Sequence, residues 1–109
     1  MSYDAYMMMN TGLEDCSVEY IGNMTSNVSG MWTLALGFPL RQLEGRTGEE
    51  CIPNLERAVS HIRHPQNVEA YKKLNPPNGW GNHEYAAEYL EKILAACRRH
   101  PKAKLHLSH

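Results

Sequence analysis

This sequence of 109 residues contains few of the patterns that identify a reaction. It has no phosphate-binding glycine loop, no Cys-x-x-Cys pair and no His-Glu-x-x-His motif, so the common nucleotide and zinc signatures are missing. Eleven basic residues nearly balance twelve acidic residues, and the formal net charge is −1. Such a balance gives no general attraction to nucleic acid or to an anionic membrane. We therefore expect no extended nucleic-acid surface, no cofactor and no metal site, and a partner that is recognised locally.

Cysteines and long apolar runs are also scarce. The three cysteines, Cys16, Cys51 and Cys97, are odd in number and far apart, which does not suit a disulfide framework. No apolar run approaches the length that spans a membrane, and the first residues lack the features of a secretion signal. We therefore predict a cytoplasmic protein without a membrane segment. With 42% hydrophobic residues the chain can bury one modest core, which predicts a single domain over residues 1–109.

The periodicity of apolar residues predicts the elements of the fold. Strands are predicted at residues 3–10, 17–23 and 104–108. Helices are predicted at residues 28–36, from the cap Thr47 to His64, at 67–74 as a short helix, and from the cap Asn82 to the stop at Pro101. This order predicts an α+β fold, in which a small antiparallel sheet of about three strands packs against several helices.

Two local patterns sharpen the helix predictions. Thr47 and Glu50 have the spacing of a capping box, in which each side chain bonds the other residue's backbone amide. Pro53 falls inside the helix that follows, where a proline removes a backbone donor and crowds the preceding turn. We expect a kink or a restart of the helix at Pro53.

The loop of residues 74–82 is the strongest candidate for a binding site, because two prolines and two glycines specify its backbone tightly. Asn75, Asn78, Asn82 and His83 offer polar groups beside the indole of Trp80, and a helix N-terminus follows. This inventory suits a small polar or nucleotide-like ligand. The alternative is that the indole fills the core while the asparagines form a turn and a helix cap.

A second polar cluster precedes the first predicted helix. Thr25 and Asn27 lie in this strand-to-helix connection, and Trp32 follows within the helix. If both clusters meet at one edge of the sheet, the two tryptophans would frame a single pocket. The alternative role is capping of the helix by Ser26 or Asn27.

Catalysis and metal binding have weaker support in the sequence. His61 and His64 lie one helical turn apart, but no thiolate pair or acidic ligand completes a zinc site. His83 is a candidate base with Glu84 or Tyr85 nearby, yet no nucleophile can be identified. We name no catalytic residue, and a small hydrolase or transferase is the last-ranked alternative.

Protein binding is the second alternative. Tyr3, Tyr6 and the run Met7, Met8, Met9 are predicted to form an adaptable exposed surface or an edge strand that binds a partner such as a host protein. The methionines can equally fill the core. We also expect homodimerisation, which is common among soluble proteins.

Four segments carry a pattern that extends over most of the chain: Asn-Val-Ser-Gly-Met-Trp at 27–32, Leu-Glu-Gly-Arg-Thr at 43–47, the loop at 74–81 and His-Pro-Lys-Ala at 100–103. In these segments the chain resembles a group of small proteins encoded by tailed bacteriophages. The resemblance implies an accessory protein in an infected bacterial cell, which counters host defence by sequestering a nucleotide signal or blocking a defence protein. Our leading hypothesis is capture of a small polar, nucleotide-derived ligand without catalysis.

Overall fold

The computed structural model describes residues 2–10, 15–77 and 82–108. Its elements follow the predicted order and confirm the α+β class. They are β1 (Ser2–Asn10), β2 (Asp15–Thr25), α1 (Ser29–Leu36), α2 (Gly48–Arg63), α3 (Val68–Lys72), α4 (His83–Arg99) and β3 (Lys104–Ser108). Short 3-10 turns lie at Ser26–Val28, Leu40–Leu43 and Pro65–Asn67. In these ranges no helix combines the length and the apolarity that crossing a membrane requires.

The three strands form an antiparallel sheet in the order β2-β1-β3, so β1 is the central strand. Burial alternates along β1: Tyr3, Ala5 and Met7 are buried, whereas Tyr6 and Met8 between and after them are only partly buried. The helices therefore pack on one face of the sheet, and the other face stays open to solvent.

Helices α2 and α4 pack against each other and carry much of the core. The buried apolar side chains of the described residues form one continuous cluster. On α2 the buried positions follow helical spacing, with Cys51, Leu55, Ala58 and Ile62 facing inward. Because this face is anchored in the core, the helix continues through Pro53. The restart predicted at that proline does not occur.

The start of α2 is fixed by two sets of bonds. The predicted capping box is confirmed: the Glu50 amide donates to Thr47 Oγ1 at 3.3 Å, and the Thr47 amide donates to Glu50 Oε1 at 3.0 Å. Beside it, the amide of Gly48 donates to the carbonyl of Ala103 at 2.7 Å. A Cβ added to Gly48 would lie 2.6 Å from the His100 carbonyl oxygen and 2.8 Å from that of Cys97. Only a residue without a side chain fits this contact between α2 and the end of α4.

The end of α4 is also tied to the edge strand β2. The carboxylate of Glu19 accepts hydrogen bonds from the Arg99 guanidinium, and His100 Nε2 lies 3.0 Å from Glu19 Oε1. These hydrogen bonds, with that of Arg99 the largest cause, lower the pKa of Glu19 below its ordinary value. The contact holds one edge of the sheet against the helical layer.

The opposite edge of the sheet, along β3, is covered by the connection between α1 and α2. The Gly45 amide donates to the Leu105 carbonyl and the Leu105 amide donates to the Arg46 carbonyl, each at 2.8 Å. The Leu107 amide donates to Glu44 Oε2 at 2.6 Å. This covering satisfies backbone groups that an exposed edge strand would offer to other chains. It also brings residues 44–45 beside the open face of the sheet.

Candidate functional site

The predicted asparagine site lies at the N-terminus of α4, where the asparagines of the described residues act as helix caps. Asn82 Oδ1 accepts from the Tyr85 amide at 3.0 Å, which confirms the predicted N-cap. Asn75 Oδ1 accepts from the His83 amide at 3.0 Å. The Ala86 amide donates to the Asn82 carbonyl, also at 3.0 Å. Most of the backbone donors that would attract an anion here are therefore already satisfied.

Two members of the predicted site, Asn78 and Trp80, lie outside the described residues. The stacking role of the Trp80 indole therefore stays a prediction.

Near this helix start, His83 has the one buried side-chain polar atom that lacks a hydrogen-bond partner among the described residues. Its side chain is 16% exposed, and Nδ1 is inaccessible to solvent and has no hydrogen-bond partner there. Nε2 lies 3.5 Å from Glu84 Oε1, at the outer limit of a hydrogen bond. A carboxylate at that distance orients the imidazole without supplying a nucleophile.

The residues of the second predicted cluster have different roles in the structure: Thr25 is a cap and Trp32 is a core residue. Thr25 Oγ1 accepts from the Asn27 amide at 3.3 Å and caps the 3-10 turn, while the Asn27 side chain is exposed. Trp32 is fully buried. Its role as a wall of a ligand pocket is therefore corrected: the indole belongs to the core and presents no face to a ligand.

The surroundings of Trp32 explain this burial. Its ring stacks on Tyr89 and meets the edge of Tyr3, with both ring centroids 5.3 Å away. Its Nε1 donates to the Ala86 carbonyl at 3.3 Å. The Tyr89 hydroxyl is shared between the carbonyls of Tyr3 and Gly22, at 3.2 and 3.1 Å. An indole with its N–H bonded and with aromatic neighbours is well suited to a core position.

The two histidines considered as metal ligands have separate partners. His61 Nδ1 lies 2.6 Å from the Tyr71 hydroxyl, and His64 Nδ1 accepts from the Gln66 amide at 3.1 Å. Burial raises the pKa of Tyr71 to about 12, so the phenol keeps its proton beside His61. Within the described ranges, no three His, Cys, Asp or Glu side chains form a group that would hold a metal ion.

The predicted protein-binding surface is divided between the two faces of the sheet. Tyr3 and Met7 are buried under the helices. Because β1 lies in the centre of the sheet, the edge-strand form of that hypothesis is wrong. Tyr6 and Met8 remain on the open face, where the ring of Tyr6 lies 5.0 Å from that of Tyr20.

A groove lies at one end of this open face and was not predicted from the sequence. Its volume is about 600 Å³. The end of β1, the segment at 44–45 and the start of β3 with the residues before it form its walls. The lining residues are Met8, Met9, Asn10, Glu44, Gly45, Lys102, Lys104, Leu105 and His106. No motif signals the groove, because three distant segments contribute to it.

The charged residues of the groove differ in how fully they are paired. Glu44 Oε1 lies 2.7 Å from His106 Nδ1, and Glu44 Oε2 accepts from the Leu107 amide, so both carboxylate oxygens are engaged. Lys102 Nζ donates to Glu49 at 3.2 Å across an exposed contact.

Lys104 is exposed and forms no direct salt bridge with a described residue. The hydrogen bonds from Thr47, and to a smaller extent the charges of Arg46 and Lys104, lower the pKa of Glu50, so this carboxylate offsets part of the Lys104 charge. The groove thus combines apolar area with one lysine that has no direct ion-pair partner.

Comparisons of this chain with protein-family models, with curated proteins and with solved structures find no match. The groove and the caps at α4 are therefore interpreted from their own chemistry.

Proposed function

We propose that this protein binds a small ligand without catalysing a reaction, and that the groove between β1, residues 44–45 and β3 is the binding site. The observation that carries the proposal is the groove itself. Its volume of about 600 Å³ falls within the range of roughly 300–1,000 Å³ that is typical of small-molecule sites. Apolar side chains with a few convergent polar groups are also typical of such sites.

The N-terminus of α4 supports ligand binding less well than the groove does. The carboxamide oxygens of Asn75 and Asn82 are bonded to backbone amides, and the indole of Trp32 is buried. The Nδ1 of His83, which has no hydrogen-bond partner, is the remaining observation in favour of a ligand site at the N-terminus of α4. The groove offers apolar area and a lysine without a direct ion-pair partner in the same place.

The lining of the groove favours binding over catalysis. Among the described lining residues there is no serine, threonine, cysteine or tyrosine to act as a nucleophile. The carboxylate of Glu44 is held by two hydrogen-bond contacts within the protein. The phage resemblance implies that a small molecule of the infected cell is captured and withheld. A nucleotide signal stays among the ligands to be tested because this resemblance favours it, although the lining of the groove does not.

Thermal unfolding with a panel of small anions tests this function. A ligand at one hundred times its Kd should stabilise the native state by about 2.7 kcal/mol, which raises Tm by roughly 10 °C in a chain of this size. We expect a shift with at least one of AMP, cyclic AMP and sodium decanoate. Met9→Glu should abolish it, because Met9 lines the groove and its side chain is 40% exposed.

Leu34→Glu is the matched control, since Leu34 is 43% exposed on α1 and does not line the groove. This variant should keep the full thermal shift. No shift with any member of the panel would contradict the proposal, as would an equal shift in the Met9→Glu protein.

A second candidate function is self-association through the open face of the sheet. Tyr20 and Val18 on the edge strand β2 are 52% and 42% exposed, and Tyr20 packs against Tyr6. Aromatic side chains are enriched at protein interfaces. We commit to a second copy of this chain as the partner, because antiparallel pairing of two β2 strands across a two-fold axis presents the same residues from both sides.

Sedimentation equilibrium tests the second candidate. We expect the wild-type protein to sediment as a dimer at about 100 μM. This concentration lies in the micromolar-to-millimolar range in which weak pairs associate. Tyr20→Ser should shift it toward the monomer. Tyr85→Ser is the control, because Tyr85 is 51% exposed on α4, away from the sheet. The interface is rejected if the wild-type protein is a monomer, or if both variants lose the dimer. Binding of a host protein to the same face of the sheet is then the alternative.

A further inference from the structure

We infer that the ligand of the groove is an aliphatic carboxylate, with its chain on the methionine floor and its carboxylate at Lys104. This inference rests on the proposed function and names the chemical class of the ligand for the same site. Three observations carry it: the composition of the floor, the pairing of the charges and the scarcity of aromatic surface.

The floor of the groove suits a flexible chain. Met8 and Met9 supply its apolar side chains, whereas Leu105 also lines the groove but is fully buried and offers no side-chain surface to a ligand. Methionine is unbranched and polarisable, so it adapts to the irregular surface of an aliphatic chain. Burial of each methylene group contributes on the order of 0.8 kcal/mol, so a chain of several carbons gains most of its affinity here.

The charges of the groove favour a single negative charge on the ligand. Two lysines and one glutamate leave the lining with a net positive charge of one when His106 is neutral. The glutamate, Glu44, is already bonded through both oxygens, and Lys102 already contacts Glu49. Lys104 has no direct ion-pair partner among the described residues and interacts with Glu50 only at longer range, so it is the lysine that can contact an external anion. The described lining contains no arginine, which is the residue that binds phosphate through two parallel hydrogen bonds.

The scarcity of aromatic surface argues against a nucleobase. The described lining contains no tryptophan, tyrosine or phenylalanine. His106 is the only ring among these lining residues; it is held by Glu44, and its centroid lies 6.0 Å from that of Tyr6. A base that enters the groove would find no free aromatic face for stacking, whereas an aliphatic chain needs none.

Calorimetric titration of the whole protein with three probes tests the ligand class. Sodium decanoate carries the chain and the charge, decanamide carries the chain alone, and AMP carries a planar base with a phosphate. We expect decanoate to bind about two- to fivefold more tightly than decanamide, the factor that an exposed ion pair typically supplies. We expect AMP to bind more weakly than decanoate.

Variants of Lys104 test whether this residue contacts the carboxylate of the ligand. Lys104→Gln should weaken decanoate binding about two- to fivefold and leave decanamide binding unchanged. Lys104→Arg, which retains the charge, should keep the wild-type affinity. Lys73→Gln removes an exposed lysine that does not line the groove and should change neither probe. The far-ultraviolet circular dichroism of each variant shows that it is folded, which is expected because Lys104 is exposed.

The outcomes separate this inference from the proposed function. Equal binding of decanoate and decanamide, tighter binding of AMP, or an unchanged affinity in Lys104→Gln would each overturn the aliphatic carboxylate. The proposed function would still stand if Met9→Glu blocked that binding. Failure of all three probes to bind, together with no thermal shift by cyclic AMP, would overturn both, as would binding that Met9→Glu leaves intact.

Discussion

Replacing Trp32 with alanine is expected to lower the free energy of unfolding by about 3–5 kcal/mol, the usual cost of truncating a buried tryptophan. The substitution removes a fully buried ring that contacts Tyr3 and Tyr89 at centroid distances of 5.3 Å. It also leaves the Ala86 carbonyl without the indole donor. Urea denaturation monitored by circular dichroism measures the loss.

Leu34→Ala is the control for this experiment. Leu34 lies on the same helix as Trp32 but is 43% exposed, so its truncation should cost less than about 1 kcal/mol. A loss at Trp32 no larger than at Leu34 would mean that the indole is not part of the core. The pocket role predicted for Trp32 would then have to be considered again.

Gly48→Ala is expected to destabilise the protein by about 1–3 kcal/mol through overpacking. The new Cβ would lie 2.6 Å from the His100 carbonyl oxygen, and the atoms it meets are backbone atoms that cannot rotate away. The start of α2 must therefore move from the end of α4, which weakens the bond from the Gly48 amide to Ala103.

Gly30→Ala is a control that is expected to change the stability of the protein in the opposite direction. Gly30 lies in α1, and a Cβ there would meet nothing within 4 Å. Because alanine is the better helix former, this change should stabilise the protein by up to about 1 kcal/mol. Thermal and urea unfolding of both variants measure the difference. Equal effects at the two glycines would contradict the close contact between α2 and α4.

Local signals predicted the elements of this fold well. The spacing of Thr47 and Glu50 is sufficient for a capping box, and Asn82 caps α4 where the sequence places it. Both features depend on residues three positions apart. The central place of β1 could not be predicted in the same way, because strand order depends on pairing between distant segments. The methionine run also lacks the polar alternation that would show which residues face the helices.

The candidate site was predicted less well than the fold, for the same reason. Asn82 has the capping role that was considered as an alternative, since caps are local features. The helix cap considered at Ser26 or Asn27 is not formed: Thr25 caps the 3-10 turn, and α1 follows Val28 without a side-chain cap. The burial of Trp32 depends on Tyr3 and Tyr89, which lie far from it in the sequence. The groove is formed by the ends of two strands and by a connection from the middle of the chain, so no short motif in the sequence predicts it.

Methyl NMR of the methionines during titration with sodium decanoate is the most direct test of ligand binding in the groove. Met8 and Met9 line the groove, whereas Met31 is fully buried in the core and serves as an internal reference. We expect saturable shifts of the Met8 and Met9 methyl signals, with the Met31 signal unchanged. Unmoved Met8 and Met9 signals, with shifts instead in the backbone amides of Asn75, Asn82 and His83, would contradict binding in the groove and return the site to the start of α4.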